Sequence, residues 1–407
     1  MTDIVSLEPY INMLPYALLA FLAAVILTPI IGVIAEKFDF VDLPATMRKR
    51  TDKTISQRLH DNVKPRLGAL AVIIPFMIIA AGTVHMSTQM GGMFVGLAIL
   101  TIVGILDDKY ELSGKVQLLF QLIAAVIVVI TGSTITGISV AGLDLDFVAS
   151  STAINFGSLV YYMNLPADII TVIWILLIVN ALNWVCGIDA LGEGMAIIAA
   201  LVMSILSVRF GALDLAFIPF VLAFGILGFI LYNYPPSKII GGTVGHGYGF
   251  IIAVLSIMIS SVATAGNGPK LTTSIIILSI PILDMIWVLI NRMKENKTIN
   301  IFKLLSISGR VHLHHRLMVA GLTTKQTLYV ETSAMAIIAV VAFYFGDFNN
   351  ALTTGLIVIA LILILFTFIS IRNRAVSRTK IVKRSKEPED PPAIVDTGPS
   401  PEERYAY

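Results

Sequence analysis

The chain has one cysteine among 407 residues, and only 13% of its residues are charged. A lone thiol excludes a disulfide framework. So few charges, beside 57% hydrophobic residues and a mean hydropathy of +0.88, exclude a water-soluble domain of this length. No Lys-Ser or Lys-Thr follows the glycine-rich stretch GGTVGHGYG from Gly241 to Gly249, which excludes a P-loop. There is no internal repeat, which speaks against the two-halved build of many secondary transporters. With a net charge of only +2, no nucleic-acid partner is expected.

What is present is a series of continuous apolar runs, which favours helices over an alternating barrel pattern. Eleven candidate spans lie near residues 13–34, 67–84, 91–106, 116–132, 168–182, 194–208, 214–232, 246–264, 273–290, 327–345 and 351–371. The expected fold is an all-α polytopic membrane protein. Several spans are short for the roughly 17–25 residues that cross the hydrocarbon, so tilted, broken or re-entrant segments are expected among them. The first run is too far in, too long and too poorly flanked for a cleaved signal peptide. With the N-terminus outside, segments 35–66, 107–115, 183–193, 233–245, 291–326 and 372–407 face inward and carry 26 of the 28 Lys and Arg residues. That is a positive-inside signal, and it puts the C-terminus in the cytoplasm. The outer loop 133–167 reads as a short β-hairpin around Ala141-Gly142. It has no Lys, Arg or His, so no chemistry is assigned to it. Residues 1–371 form the membrane domain, and 372–407 are a basic, then Pro- and acid-rich tail that reads as disordered.

Under this topology the polar clusters share one face. They are His60–Gly68, Asp107–Lys115 with its paired acids, Asn180–Glu193, Asn233–His246, Asp284, and Gly309–Arg316 with its HLHH sequence. Carboxylates, amides, imidazoles and lysines on one membrane face suit a divalent cation and an anionic headgroup. Simpler readings exist for each. Asp107 and Asp108 can cap the next helix, HLHH can be a solvated loop, Asn180 and Asn183 can bond a neighbouring helix, and the glycines can serve close packing. A transporter would instead line a path through the membrane's middle with its charges.

The ordered set DDKYELSGKVQLLFQ, NALNWVCGIDAL, YNYPPSKIIGGT, PILD and HLHHRLMVAGLT resembles the polyprenyl-phosphate N-acetylhexosamine-1-phosphate transferases, which are related to the phospho-MurNAc-pentapeptide transferase. The likeness covers about residues 15 to 370, LHDNVKPRLGALAV included. It implies transfer of a sugar-1-phosphate, GlcNAc-1-phosphate in many members, from a UDP-sugar to a polyprenyl phosphate at the cytoplasmic face of the cell membrane. UMP is released, Mg²⁺ or Mn²⁺ assists, and cell-wall or surface polysaccharide synthesis begins. A homodimer is implied as well. By the same resemblance, Asp107 and Asp108 are the catalytic pair, Asn183 is a metal contact, and Asp189, His312, His314 and His315 contact substrate. Lys115, Asn180 and Lys238 are further candidates for substrate contact.

The sequence departs from the family pattern where a metal carboxylate is expected. Counting from Lys238 puts Thr243 at that place, and counting back from Gly249 puts Gly242 there. Gln117 stands for a Lys or Arg, Cys186 for an acid, and Gly309 for another acid. His246, Cys186 and the HLHH imidazoles are the residues from which a softer metal site could be assembled. The alternative expectation is therefore a catalytically impaired homologue that binds polyprenyl phosphate or a partner enzyme.

Overall fold

A computed structural model describes residues 7–43, 62–140, 143–157, 159–263, 271–307 and 312–345. Helix α1 (Glu8–Lys37) leads to a small antiparallel ladder of β1 (Val41–Asp42) and β2 (Lys64–Pro65). Helices α2 (Leu70–Thr83), α3 (Thr88–Tyr110) and α4 (Gly114–Ile130) follow. Strands β3 (Gly137–Val140), β4 (Leu143–Asp146), β5 (Val148–Phe156) and β6 (Leu159–Pro166) come before α5 (Ala167–Val185), α6 (Leu191–Arg209) and α7 (Leu213–Asn233). The chain continues with α8 (His246–Ala263), α9 (Leu271–Ile277), α10 (Ser279–Asn296), α11 (Ile301–Ser306), α12 (Leu313–Val319) and α13 (Thr324–Phe345). Ten of the expected spans coincide with these helices. The run 351–371, the tail 372–407 and Gly309 lie outside the described residues.

The protein is an all-α polytopic membrane protein. Seven described helices are long and apolar enough to cross a membrane, or eight if the bent pair is one span. Helix α2, with 14 residues, and α4, with 17, are shorter than the hydrocarbon thickness at about 1.5 Å per residue. The span expected over 273–290 is not one straight helix, since α9 and α10 meet at 72°. Pro281 explains the break, because its ring would clash with the carbonyl four residues earlier, on Ile277, where α9 ends.

Small residues let the helices approach closely. The buried stripe Ala17, Ala20, Ala24 of α1 packs on α7, and a Cβ on Gly228 would lie 2.4 Å from the Phe21 carbonyl oxygen. Where lipid is as apolar as the helices, such close packing is what holds a pair together.

Hairpin β3–β4 brackets residues 141–142 as the sequence suggested. The second hairpin, β5–β6, was not anticipated, because ASSTAINF carries too little apolar alternation to announce a strand. Buried Asp168 ties it to the bundle, accepting from Asn164 N at 2.8 Å, Thr134 Oγ1 at 3.1 Å and the Tyr161 hydroxyl. Burial and the Asp168 carboxylate raise the Tyr161 phenol pKa.

Candidate functional site

The site begins with a glycine. Gly104 lies one turn before Asp107 and Asp108, and the i+3 and i+4 spacing puts all three on one face of α3. With no side chain at 104, the helix seats directly on the turn Thr243–Gly245, where a Cβ would come 2.8 Å from Val244 N. That contact delivers the two carboxylates to the loop before α8.

Both carboxylates are committed there. Thr243 N–H donates to Asp108 Oδ1 and Oδ2 at 3.0 and 3.1 Å. Thr243 Oγ1 donates to Asp107 Oδ2, and Gln117 Nε2 donates to Asp107 Oδ1 at 2.9 Å. Arg66 Nη1 stands 3.6 Å from Asp108 Oδ1, while Nη2 reaches Asp42 Oδ1 at 3.0 Å. The β1–β2 pairing of Asp42 with Lys64 makes that second contact possible. The acids do not cap α4, whose N-cap is Ser113. Asp108 instead satisfies the first N–H of the turn leading into α8.

A second polar knot lies beside the first. Lys64 Nζ bonds Asp189 at 3.0 and 3.1 Å and Ser237 Oγ at 2.7 Å. Ser237 returns two bonds to Asp189, from N at 3.0 Å and from Oγ at 2.8 Å. Ala190 N–H donates to Asn233 Oδ1 at 2.7 Å, which ties the α5–α6 loop to the end of α7. Glu193 is buried on the far side of the diglycine, since a Cβ on Gly241 would meet its Oε1 at 3.0 Å. Asn180 Nδ2 bonds Gln121 Oε1 at 2.7 Å, the neighbouring-helix role weighed for it. Asn183 is half-buried, with its carbonyl accepting from Cys186 N at 3.2 Å. Lys115 and Lys238 are exposed.

The HLHH stretch is not a solvated loop, because His312, His314 and His315 are all buried. Asp284 organises it, with Oδ1 accepting from Leu313 N at 2.7 Å and Oδ2 lying 2.8 Å from His312 Nδ1. A carboxylate there caps the first turn of α12. His312 meets Trp184 edge-on at 5.6 Å between ring centroids, and Arg292 covers the same Trp184 at 4.5 Å. His314 presses on the α5–α6 loop so closely that a Cβ on Gly187 would lie 2.2 Å from its Nε2. Burial, then His315 and His312, push the His314 pKa well below the ordinary imidazole value.

The structure thus brings Asp107, Asp108, Asp189 and the three histidines to one end of the bundle. It leaves Lys115 and Lys238 at the rim. Arg66, Thr243 and Lys64 were missed as site residues, although KPRLG and GGT were in view. Their place beside the acids comes from pairing with carboxylates 42, 135 and 125 positions away, which no local pattern displays. Among the described residues no three of His, Cys, Asp or Glu converge to hold a metal. The softer site drawn from His246, Cys186 and the imidazoles is therefore not formed. A carboxylate at 242 would not fit either, since its Cβ would sit 2.2 Å from Asp108 Oδ2 at a φ of +73°. Among the described residues, those around Asp107 and Asp108 do not fit a protein-built divalent metal site.

Fold and site define a class: a multi-pass α-helical membrane protein whose polar residues meet around an acidic pair at one end of its helices. A family model described as glycosyl transferase family 4 matches residues 90–260. A Bacillus subtilis (strain 168) protein named "probable undecaprenyl-phosphate N-acetylglucosaminyl 1-phosphate transferase" is 31% identical over 326 residues, 79% of this chain and 82% of that protein. An undecaprenyl-phosphate alpha-N-acetylglucosaminyl 1-phosphate transferase of Yersinia pestis is 27% identical over 71% of this chain and 75% of its own length. A decaprenyl-phosphate N-acetylglucosaminephosphotransferase of Mycobacterium leprae (strain TN) is 25% identical over 84% and 88%. The chain belongs to the polyprenyl-phosphate N-acetylglucosamine-1-phosphate transferase family.

Proposed function

We propose that this protein transfers a sugar-1-phosphate, GlcNAc-1-phosphate by the names of its relatives, from a UDP-sugar to a polyprenyl phosphate. A lipid phosphate oxygen attacks the phosphorus that bears the sugar. The bond from that phosphorus to the oxygen shared with the uridine phosphate breaks, leaving UMP and a polyprenyl-diphospho-sugar. Such a reaction needs chiefly alignment and charge balance. Asp107 and Asp108 orient the acceptor phosphate, which is already anionic and needs no strong base. Asp189 and the buried histidines lie toward the nucleotide diphosphate, and Lys115 and Lys238 draw the anions in from the rim. The cytoplasmic face of the plasma membrane is the working side, supported by the 26 of 28 Lys and Arg residues that fall on that side in the sequence reading.

The observation that carries this reading is the gathering of described residues from six segments, distant in sequence, at one end of the bundle, Asp107 and Asp108 among them. The test is UMP release by detergent-purified protein given UDP-GlcNAc and undecaprenyl phosphate, beside Asp108→Asn. Release that requires both lipid and Asp108 is expected. A second reading, a homologue that binds polyprenyl phosphate without turnover, is favoured by the lack of a carboxylate at Gly242 and Thr243. No release with retained lipid binding would select it.

A further inference from the structure

Asp107 and Asp108 are bonded by the chain's own groups, and one cation, Arg66, stands beside them. One Asp108 oxygen faces the Arg66 guanidinium at 3.6 Å, and both face the Thr243 N–H. Asp107 divides its oxygens between Gln117 and the Thr243 hydroxyl. Arg66 is itself fixed from behind, 3.0 Å from Asp42, whose side chain is 3% exposed. Swinging it out would take the guanidinium away from buried Asp108, which is costly. A divalent ion on Asp108 would have to sit beside this guanidinium, a like-charge contact inside a low-dielectric site. It would also have to share oxygens that already accept from the Thr243 N–H, the bond that holds the turn before α8.

We propose that Arg66 is the resident cation of the acidic pair. It is a positioning residue that holds Asp108 where a bound divalent metal would otherwise be needed, with Thr243 closing the clamp across both acids. The guanidinium suits this place because its planar fork serves Asp42 and Asp108 together. The consequence for turnover rests on the transferase reading, but the metal-binding consequence does not. At rest the acidic pair is no strong divalent site, and removing the guanidinium makes it one by freeing Asp108 and Asp107.

The test is Mn²⁺ titration of the full-length protein in detergent, read as loss of the free-ion electron paramagnetic resonance signal and as a shift in melting temperature. Wild type is expected to bind no tighter than about millimolar, a range typical of weak oxygen sites. Arg66→Gln should bind at least about tenfold tighter, and Arg66→Lys, which keeps the charge but not the fork, should bind less tightly than Arg66→Gln. An Arg66→Gln protein that melts cooperatively only once Mn²⁺ is added supports the proposal equally. Micromolar binding by wild type that vanishes in Asp108→Asn would overturn it. So would an Arg66→Gln protein that folds with no gain, or that metal does not recover while Arg66→Lys is normal. UMP release measured in parallel reports on the transferase reading by itself. Silence there with the expected metal results removes that reading and leaves the clamp.

Discussion

Gly104 and Val244 touch with no side chain between them, for a Cβ at 104 would lie 2.8 Å from both the Cα and the nitrogen of Val244. The contact is backbone against backbone, so neither partner can yield by changing a rotamer. Gly104→Ala should therefore push α3 from the Thr243 turn and pull Asp107 and Asp108 off Thr243. Overpacking of this kind costs about 1–3 kcal/mol, and misplacing aligned groups by about 1 Å can cost about 100-fold in rate. A melt in detergent and a UMP-release assay read the two effects. A variant with wild-type values for both would show that the helix can shift without consequence.

Ala190 adopts a left-handed backbone with φ +64° while fully buried at the start of α6. An L-residue there is strained by its Cβ, and only glycine avoids the penalty. Ala190→Gly should stabilise the protein by roughly 0.5–1 kcal/mol, a rise in melting temperature with the Asn233 bond intact. A fall in melting temperature would mean that the methyl's packing outweighs the strain.

The spans were legible because their apolar runs are long and uninterrupted, and the acidic pair because two carboxylates at the end of such a run have no reason in hydrocarbon. The three histidines were legible by resemblance, but their burial was not. Burial depends on Asp284 reaching 28 and 29 positions ahead to His312 and Leu313. The bend between α9 and α10 could have been read from Pro281, which sits inside a run that hydropathy alone treats as continuous. Arg66 was hidden for a different reason. In KPRLG it resembles any basic residue flanking a span, and its meaning comes from Asp42 and Asp108 meeting it in space.

Asp284 and His312 form one unit, so their effects should not add. Asp284→Ala removes the cap of α12 and the His312 contact together, at a cost of about 1–3 kcal/mol. His312→Ala loses only the second of these. The double variant should be little worse than Asp284→Ala alone, with a coupling of about 0.5–3 kcal/mol for residues in contact. A thermal or denaturant double-mutant cycle measures this. Strict additivity would mean that the 2.8 Å contact contributes nothing to stability.

His314 supplies a pH dependence whose sign is fixed by its surroundings. Its ring is fully buried, neither nitrogen has a hydrogen-bond partner among the described residues, and burial with His315 and His312 beside it depresses its pKa. The folded protein therefore keeps the ring neutral, whereas the unfolded chain protonates it near the usual value of about 6.5. Below that pH the unfolded state binds the extra proton, so stability is fully present above about 6.5 and declines as pH falls, by at most about 1.4 kcal/mol per pH unit. Melting temperature in detergent should be level from about pH 8 to 7 and drop toward about pH 5.5, with a shallower drop in His314→Asn, which cannot titrate. An equally steep drop in that variant would move the dependence to other groups and show that the folded protein accommodates a charged ring at 314.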